Sequence, residues 1–127
     1  MRIDHIALYC SDLKKMRQFF EQYFQAQAGA MYHNPTTGFS SYFLTFTEGS
    51  TRLEIMTKPG VDRPSDTSGL GYAHLALAAG SRQSVDALTA RLAAHGYATL
   101  SGPRITGDGY YESCVAGPEG ILVEITE

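Results

Sequence analysis

Gly71-Tyr72-Ala73-His74-Leu75-Ala76-Leu77 decides how this chain is read, because Asp4-His5-Ile6-Ala7-Leu8 has already given its core once. A second echo follows each copy: Arg52-Leu53-Glu54-Ile55-Met56 after the first, Leu122-Val123-Glu124-Ile125-Thr126 after the second. His5 and His74 are 69 residues apart, Glu54 and Glu124 are 70 apart. An internal repeat takes precedence over any local reading. Here the repeat carries the residues with chemistry in them.

The order of elements repeats as well. Arg2 to Tyr9 alternates apolar and polar positions as a strand does. Ser11 or Asp12 caps a helix whose apolar face is Leu13, Met16, Phe19, Phe20 and Tyr23. A short strand at Ala30 to His33, a turn at Asn34-Pro35-Thr36-Thr37-Gly38, and a hairpin of Phe39–Thr47 with Arg52–Met56 complete the first half. Thr57 to Gly69 reads as a linker. The second half starts again with a strand at Gly71–Ala78. A helix follows, capped by Ser81, with Val85, Leu88 and Leu92 on one face and His95-Gly96 at its end. Strands at Tyr97–Ser101, Tyr110–Ala116 and Ile121–Thr126 close the half, the last two joined by the turn Gly117-Pro118-Glu119-Gly120. The expected fold is α+β: two tandem βαβββ modules forming a cupped mixed sheet with the helices on its outer face. It forms one domain over residues 1–127, with module one at about 1–57, the linker at about 58–69 and module two at about 70–127.

Strand alternation then places the four repeated residues. Ile6, Leu8, Leu53 and Ile55 cover the helix side in the first half; Leu75, Leu77, Val123 and Ile125 do so in the second. His5, Glu54, His74 and Glu124 therefore face away from the helices, beside the small residues Ala7, Ala76 and Ala78. A lone His or Glu on a strand is usually solvated or structural, and His33 and His95, which have no counterparts, are read that way. A duplicated pair at matched spacing points instead to a divalent ion held by imidazole and carboxylate.

The totals narrow the function classes. The chain has 127 residues, 43% apolar and 18% charged, with a net charge of −3. That balance argues against nucleic acid as partner. No apolar run reaches the ~18 residues that cross a bilayer, and the N-terminus enters a strand without a leader. Cys10 and Cys114 stand alone, outside any CxxC spacing, which fits reduced thiols and a cytoplasmic location.

With those residues in hand, the chain resembles the vicinal oxygen chelate (glyoxalase/bleomycin resistance/dioxygenase) superfamily. Gly117-Pro118-Glu119-Gly120-Ile121-Leu122-Val123-Glu124-Ile125 is similar to that family's most recognisable stretch, and the His, Glu, His, Glu set resembles its glyoxalase I (lactoylglutathione lyase) branch. The resemblance implies that His5, Glu54, His74 and Glu124 hold one divalent ion, typically nickel or zinc. It implies a small-molecule substrate, the hemithioacetal of methylglyoxal and a thiol, isomerised through an ene-diolate. Glu124 would shuttle the proton and Glu54 would take the mirror role. It also implies a homodimer with metal sites shared between chains. Tyr9 stands where glutathione-using relatives carry Arg, which leaves the thiol open. Lys58 and Arg17 join Tyr9 as candidate substrate contacts. Other readings within the superfamily are an acyl-CoA epimerase, a thiol transferase of the fosfomycin type, an extradiol dioxygenase and a non-catalytic drug-binding member.

Overall fold

A computed structural model describes residues 1–63 and 69–127 of the chain. It divides into two compact units, Met1–Arg63 and Pro64–Glu127. The end of the expected linker, 64–68, lies outside the described residues.

In the first unit β1 (His5–Tyr9) leads into α1 (Leu13–Phe24). Asp12 is the residue that caps α1, its carboxylate accepting from the Lys15 amide at 2.9 Å. Met16, Phe19, Phe20 and Tyr23 recur every three or four residues, and all four are buried. The strands β2 (Gln27–Ala28), β3 (Tyr32–His33), β4 (Ser40–Thr45) and β5 (Arg52–Thr57) follow. The sheet order is β1-β5-β4-β2, with β3 also on β4. The helix covers one face, where Leu44, Leu53 and Ile55 are buried. Each such side chain taken from water contributes ~1.5–3 kcal/mol.

The second unit repeats the plan with β6 (Leu75–Ala78), α2 (Arg82–Ala94), β7 (Thr99–Ile105), β8 (Tyr111–Ala116) and β9 (Leu122–Thr126), in the order β6-β9-β8-β7. Ser81 caps α2 through the Ser84 amide, as expected. The buried face of α2 is Val85, Thr89 and Leu92, against Val115, Val123 and Ile125. Thr89 replaces Leu88 at the centre of that face. Its hydroxyl lies 2.6 Å from the Val85 carbonyl and 2.6 Å from the Ser113 hydroxyl, so the polar atoms enter the core with partners.

Both units use one register for their parallel pair. Ile6, Ala7 and Leu8 lie opposite Leu53, Glu54 and Ile55; Leu75, Ala76 and Leu77 lie opposite Val123, Glu124 and Ile125. The 69- and 70-residue offsets in the sequence are the imprint of this shared register. The expected α+β class is thus present, each module carrying its own mixed sheet, of five and four strands.

Three differences from the sequence reading have a clear physical cause. β2 was not anticipated, because two residues are too few to show a period. β6 begins at Leu75 rather than Gly71, leaving His74 just ahead of the strand; Gly71, at φ +132°, is in a backbone conformation outside the strand range. β7 runs on to Ile105 through Gly102-Pro103, which reads as a breaker. Pro is tolerated there because β7 is an edge strand, where its missing N–H removes no ladder bond.

Gly102, at φ +76°, lies so close to β8 that an added Cβ would overlap the Glu112 carbonyl oxygen and sit 2.9 Å from the Ser113 Cα. Gly96 has a similar φ, +88°, but open space around it. Gly96→Ala should therefore cost ~1 kcal/mol from backbone conformation alone, and Gly102→Ala ~2–4 kcal/mol because the clash adds to it. Urea unfolding of the two variants measures the difference, and equal losses would show the close approach to be unimportant.

Candidate functional site

Strand alternation and register deliver the same arrangement in each unit. His5 and Ala7 share a face of β1, and Glu54 lies directly across from Ala7. Because alanine ends at Cβ, the Glu54 carboxylate has room to reach toward the imidazole two residues earlier. His5 Nε2 lies 4.0 Å from Glu54 Oε2. In the second unit Ala76 leaves the same room, and His74 Nε2 lies 3.5 Å from Glu124 Oε2. The glutamates are the more enclosed partners, with side chains 14% and 19% exposed, against 41% and 44% for the histidines.

The neighbours of the two pairs differ. Across from Glu54 on β4 is Phe43, whose ring meets His5 edge-on at 5.3 Å and carries the Arg52 guanidinium 4.3 Å from its centroid. Arg52 also grips Asp4, and Asp4 Oδ2 lies 3.0 Å from His5 Nδ1. The imidazole and the guanidinium together hold the Asp4 carboxyl below the usual carboxylate range.

Across from Glu124 on β8 is Cys114. An open cleft of about 490 Å³ adjoins this pair, walled in part by His74, Asp108, Tyr110, Glu112 and Glu124. Burial pushes the Glu124 carboxyl above its ordinary value, and the neighbouring Glu112 charge pushes it further; His74 pulls it partly back. Glu112 is paired with Arg104 at 3.7 Å. Burial likewise raises the Cys114 thiol, with help from the charges of Glu124 and Glu112. Neither Cys10 nor Cys114 is bridged.

Of the candidate substrate contacts, the structure brings Tyr9 and Lys58 together, the ammonium 5.0 Å from the ring centroid. Tyr9 alternates onto the same face of β1 as His5 and Ala7. Arg17 is placed elsewhere. Its Nη1 donates to the Tyr42 hydroxyl at 3.3 Å and its Nε lies 3.4 Å from Glu21. Tyr42 is across from Ile55, so this contact belongs to the helix side of the sheet, opposite to Glu54. His33 bonds Ser40 at 2.8 Å and His95 closes α2. Asp4, Phe43, Arg52, Asp108 and Glu112 were not singled out from the sequence. Period-two counting from Glu54 reaches Arg52, but from His5 it skips the adjacent Asp4, and Phe43 and Glu112 become neighbours only through cross-strand pairing.

Two ligands of one first-row ion, each ~2.0–2.2 Å from it, are separated by roughly 2.8–3.5 Å in tetrahedral or cis-octahedral geometry. The 3.5 Å separation lies at the top of that range and the 4.0 Å separation above it, and the donors are an imidazole nitrogen and a carboxylate oxygen in each case. The residues present thus fit a divalent ion, two ligands per pair. Among the described residues no three His, Cys, Asp or Glu side chains gather in ligand geometry.

The model of the Glyoxalase/Bleomycin resistance protein/Dioxygenase superfamily matches residues 2–125. The chain belongs to that superfamily. Among solved members of the fold, the trypanothione-dependent glyoxalase I of Leishmania major superposes with a TM-score of 0.81 at 20% identity, covering 100% of this chain and 86% of that one. A glyoxalase family protein from Enterococcus faecalis gives 0.79 at 23% identity, covering 99% and 97%. Glyoxalase I from Zea mays gives 0.81 at 20% identity, covering 98% of this chain and 44% of the maize chain. In sequence, the uncharacterized protein YqjT of Bacillus subtilis (strain 168) is 29% identical over 128 residues, 95% of this chain and 94% of YqjT. At these identities the structural likeness speaks for the glyoxalase-like fold.

His74→Ala tests the second pair. The loss of an imidazole ligand should weaken zinc or nickel binding by more than ~100-fold, beyond what changes outside the ligand set produce. Competition against a chromogenic chelator measures this, and unchanged affinity would remove His74 from the ligand set.

Proposed function

We propose that this superfamily member is a metal-dependent glyoxalase I-like lyase acting on a hemithioacetal of methylglyoxal. The observation that carries the reading is the duplicated His–Glu pair. It has one register, one open face and one donor chemistry in both units. His5, Glu54, His74 and Glu124 would hold a nickel or zinc ion, and the two carboxylates would balance its charge. When bound, that ion supplies Lewis-acid polarisation of two neighbouring substrate oxygens.

The remaining work belongs to the chain's own groups. Glu124 takes the carbon-bound proton and returns it to the adjacent carbon; burial and the nearby Glu112 charge make it a stronger base than an ordinary carboxylate. Glu54, across from Phe43, serves chiefly as a ligand. Tyr9 and Lys58 contact the substrate's outer end. Asp108 and Glu112, walling the cleft beside Glu124, oppose a carboxylate-bearing thiol there, so glutathione is not the preferred partner. The acting form is a cytoplasmic homodimer in which each site takes His5 and Glu54 from one chain and His74 and Glu124 from the other.

A panel of methylglyoxal hemithioacetals made with 2-mercaptoethanol, cysteamine, mercaptoacetate and glutathione tests the substrate reading. The neutral and amine-bearing thiols should give the higher kcat/KM, and a preference for glutathione would overturn that part. Glu124→Gln keeps an oxygen ligand and loses the base, so kcat should fall by ~100-fold or more while metal affinity changes far less. Normal turnover with the ion bound would exclude Glu124 as the base. The dimer is tested by mixing inactive His5→Ala chains with inactive Glu124→Gln chains. Shared sites return about half the wild-type activity per heterodimer, since one site then carries both lesions and the other neither. No recovery in proven heterodimers would assign each site to one chain.

A further inference from the structure

The ligands recur in the two units, but what surrounds the imidazoles does not. Around His5 stand Asp4, Arg52 and Phe43. Asp4 meets Nδ1 at 3.0 Å, Arg52 binds Asp4 while lying over the Phe43 ring, and Phe43 meets the imidazole edge-on. The strand registers identify the corresponding positions of the second unit as Ala73, Leu122 and Cys114. None of these can accept a bond from an imidazole N–H as a carboxylate does, or hold a carboxylate in place.

An ionised carboxylate has acceptors only. The nitrogen that faces Asp4 must therefore carry the proton, which leaves the lone pair on Nε2, the atom turned toward Glu54 at 4.0 Å. Arg52 keeps Asp4 in place from the neighbouring strand, where it lies directly across from His5. Its amide also donates to the Asp4 carbonyl at 3.1 Å, so main chain and side chain fix the same residue.

We propose that Asp4, held by Arg52, is a positioning residue that locks His5 in its Nδ1–H tautomer and so presets Nε2 as a donor. Among the described residues the second unit has no such lock. The value of the preset Nε2 rests on His5 being a metal ligand, as proposed above; the lock itself does not. A carboxylate behind a ligating imidazole fixes its tautomer and orientation, and removing it commonly lowers metal affinity 10–100-fold. His74 has no carboxylate behind Nδ1 among the described residues, and its Nε2 lies 3.5 Å from Glu124 Oε2, which draws the proton toward Nε2 instead.

The test is two-bond 1H–15N correlation spectroscopy of the imidazoles in metal-free protein, at a pH where both are neutral, with His5 and His74 assigned by substitution. In the wild type His5 should show a protonated Nδ1 and an unprotonated Nε2, while His74, facing Glu124 through Nε2, should not show that tautomer. Asp4→Asn is nearly isosteric at this exposed position; one Asp4 oxygen accepts from both Arg52 and His5, and Arg52 has only donors, so the Asn carbonyl oxygen should take that place and keep the proton on Nδ1. Asp4→Ala should release His5 from the Nδ1–H tautomer, and Arg52→Gln should shift it part of the way. In each variant the His74 signals stay where they were, which certifies the fold. A wild-type His5 already protonated at Nε2, or an Asp4→Ala variant that keeps the proton fully on Nδ1, would overturn the proposal. Zinc and nickel affinity is then measured on the same proteins, with a ~10–100-fold loss expected for Asp4→Ala. A wild type that switches tautomer as described but binds no ion would sink the metal reading and leave the lock standing. An ion-binding wild type with no tautomer switch would do the reverse.

Discussion

The structure depends on the register of two short parallel strand pairs, β1 with β5 and β6 with β9. Side chains alternate with a period of two, so a slip of one residue would turn Leu53, Ile55, Val123 and Ile125 out of their cores and drive Glu54 and Glu124 in. Each apolar residue so displaced forfeits ~1.5–3 kcal/mol of burial, and each carboxylate forced inside without a partner costs several more. The cores therefore enforce the positions of the site residues. Packing of Met16, Phe19 and Phe20 in one unit, and of Val85 and Leu92 in the other, is what holds a His and a Glu side by side on the opposite face.

Alanine is the quiet requirement of that arrangement. Ala7 and Ala76 sit across from the two glutamates, in the row between each Glu and the face of its His. A larger residue at either place would fill the space through which the carboxylate reaches the imidazole. The repeat His-apolar-Ala-Leu thus encodes a donor, a core contact, a gap and a second core contact in four residues. This is why such a short echo carried the architecture.

Much of the fold was legible because it rests on local periodicity. The α1 and α2 faces, the Ser81 cap and the hairpin of β4 with β5 follow from spacing and turn chemistry visible in a few residues. The facing of all four His and Glu positions followed from alternation alone. What stayed hidden depends on partners distant in sequence. The continuation of β7 through Gly102-Pro103 is tolerable only on an edge strand, and edge position is a property of the sheet. Thr89 is acceptable in the core only because Ser113 meets it from another strand. Arg17 has the charge of a substrate contact, but α1 directs it to Tyr42 and Glu21 on the helix side. Asp4 stood next to His5 in plain view; its importance comes from Arg52, 48 positions away, which no spacing rule connects to it.

A doubled module starts with two equal halves, and equal ligands with equal neighbours would leave no reason for one carboxylate rather than the other to move a proton. The neighbours are what differ. Glu54 stands across from an aromatic ring, in a row where Arg52 and Asp4 neutralise each other and pin the imidazole. Glu124 stands across from a thiol, beside an open cleft and a second carboxylate, Glu112, whose charge makes protonation easier. A group that must accept a proton and release it again needs raised basicity and access to substrate, while a group that only anchors an ion needs rigidity. On the proposed chemistry, the first unit meets the second of these demands and the second unit meets the first. The division of labour lies in Asp4, Phe43 and Arg52 on one side and Glu112 and Cys114 on the other, not in the four residues that the repeat preserves.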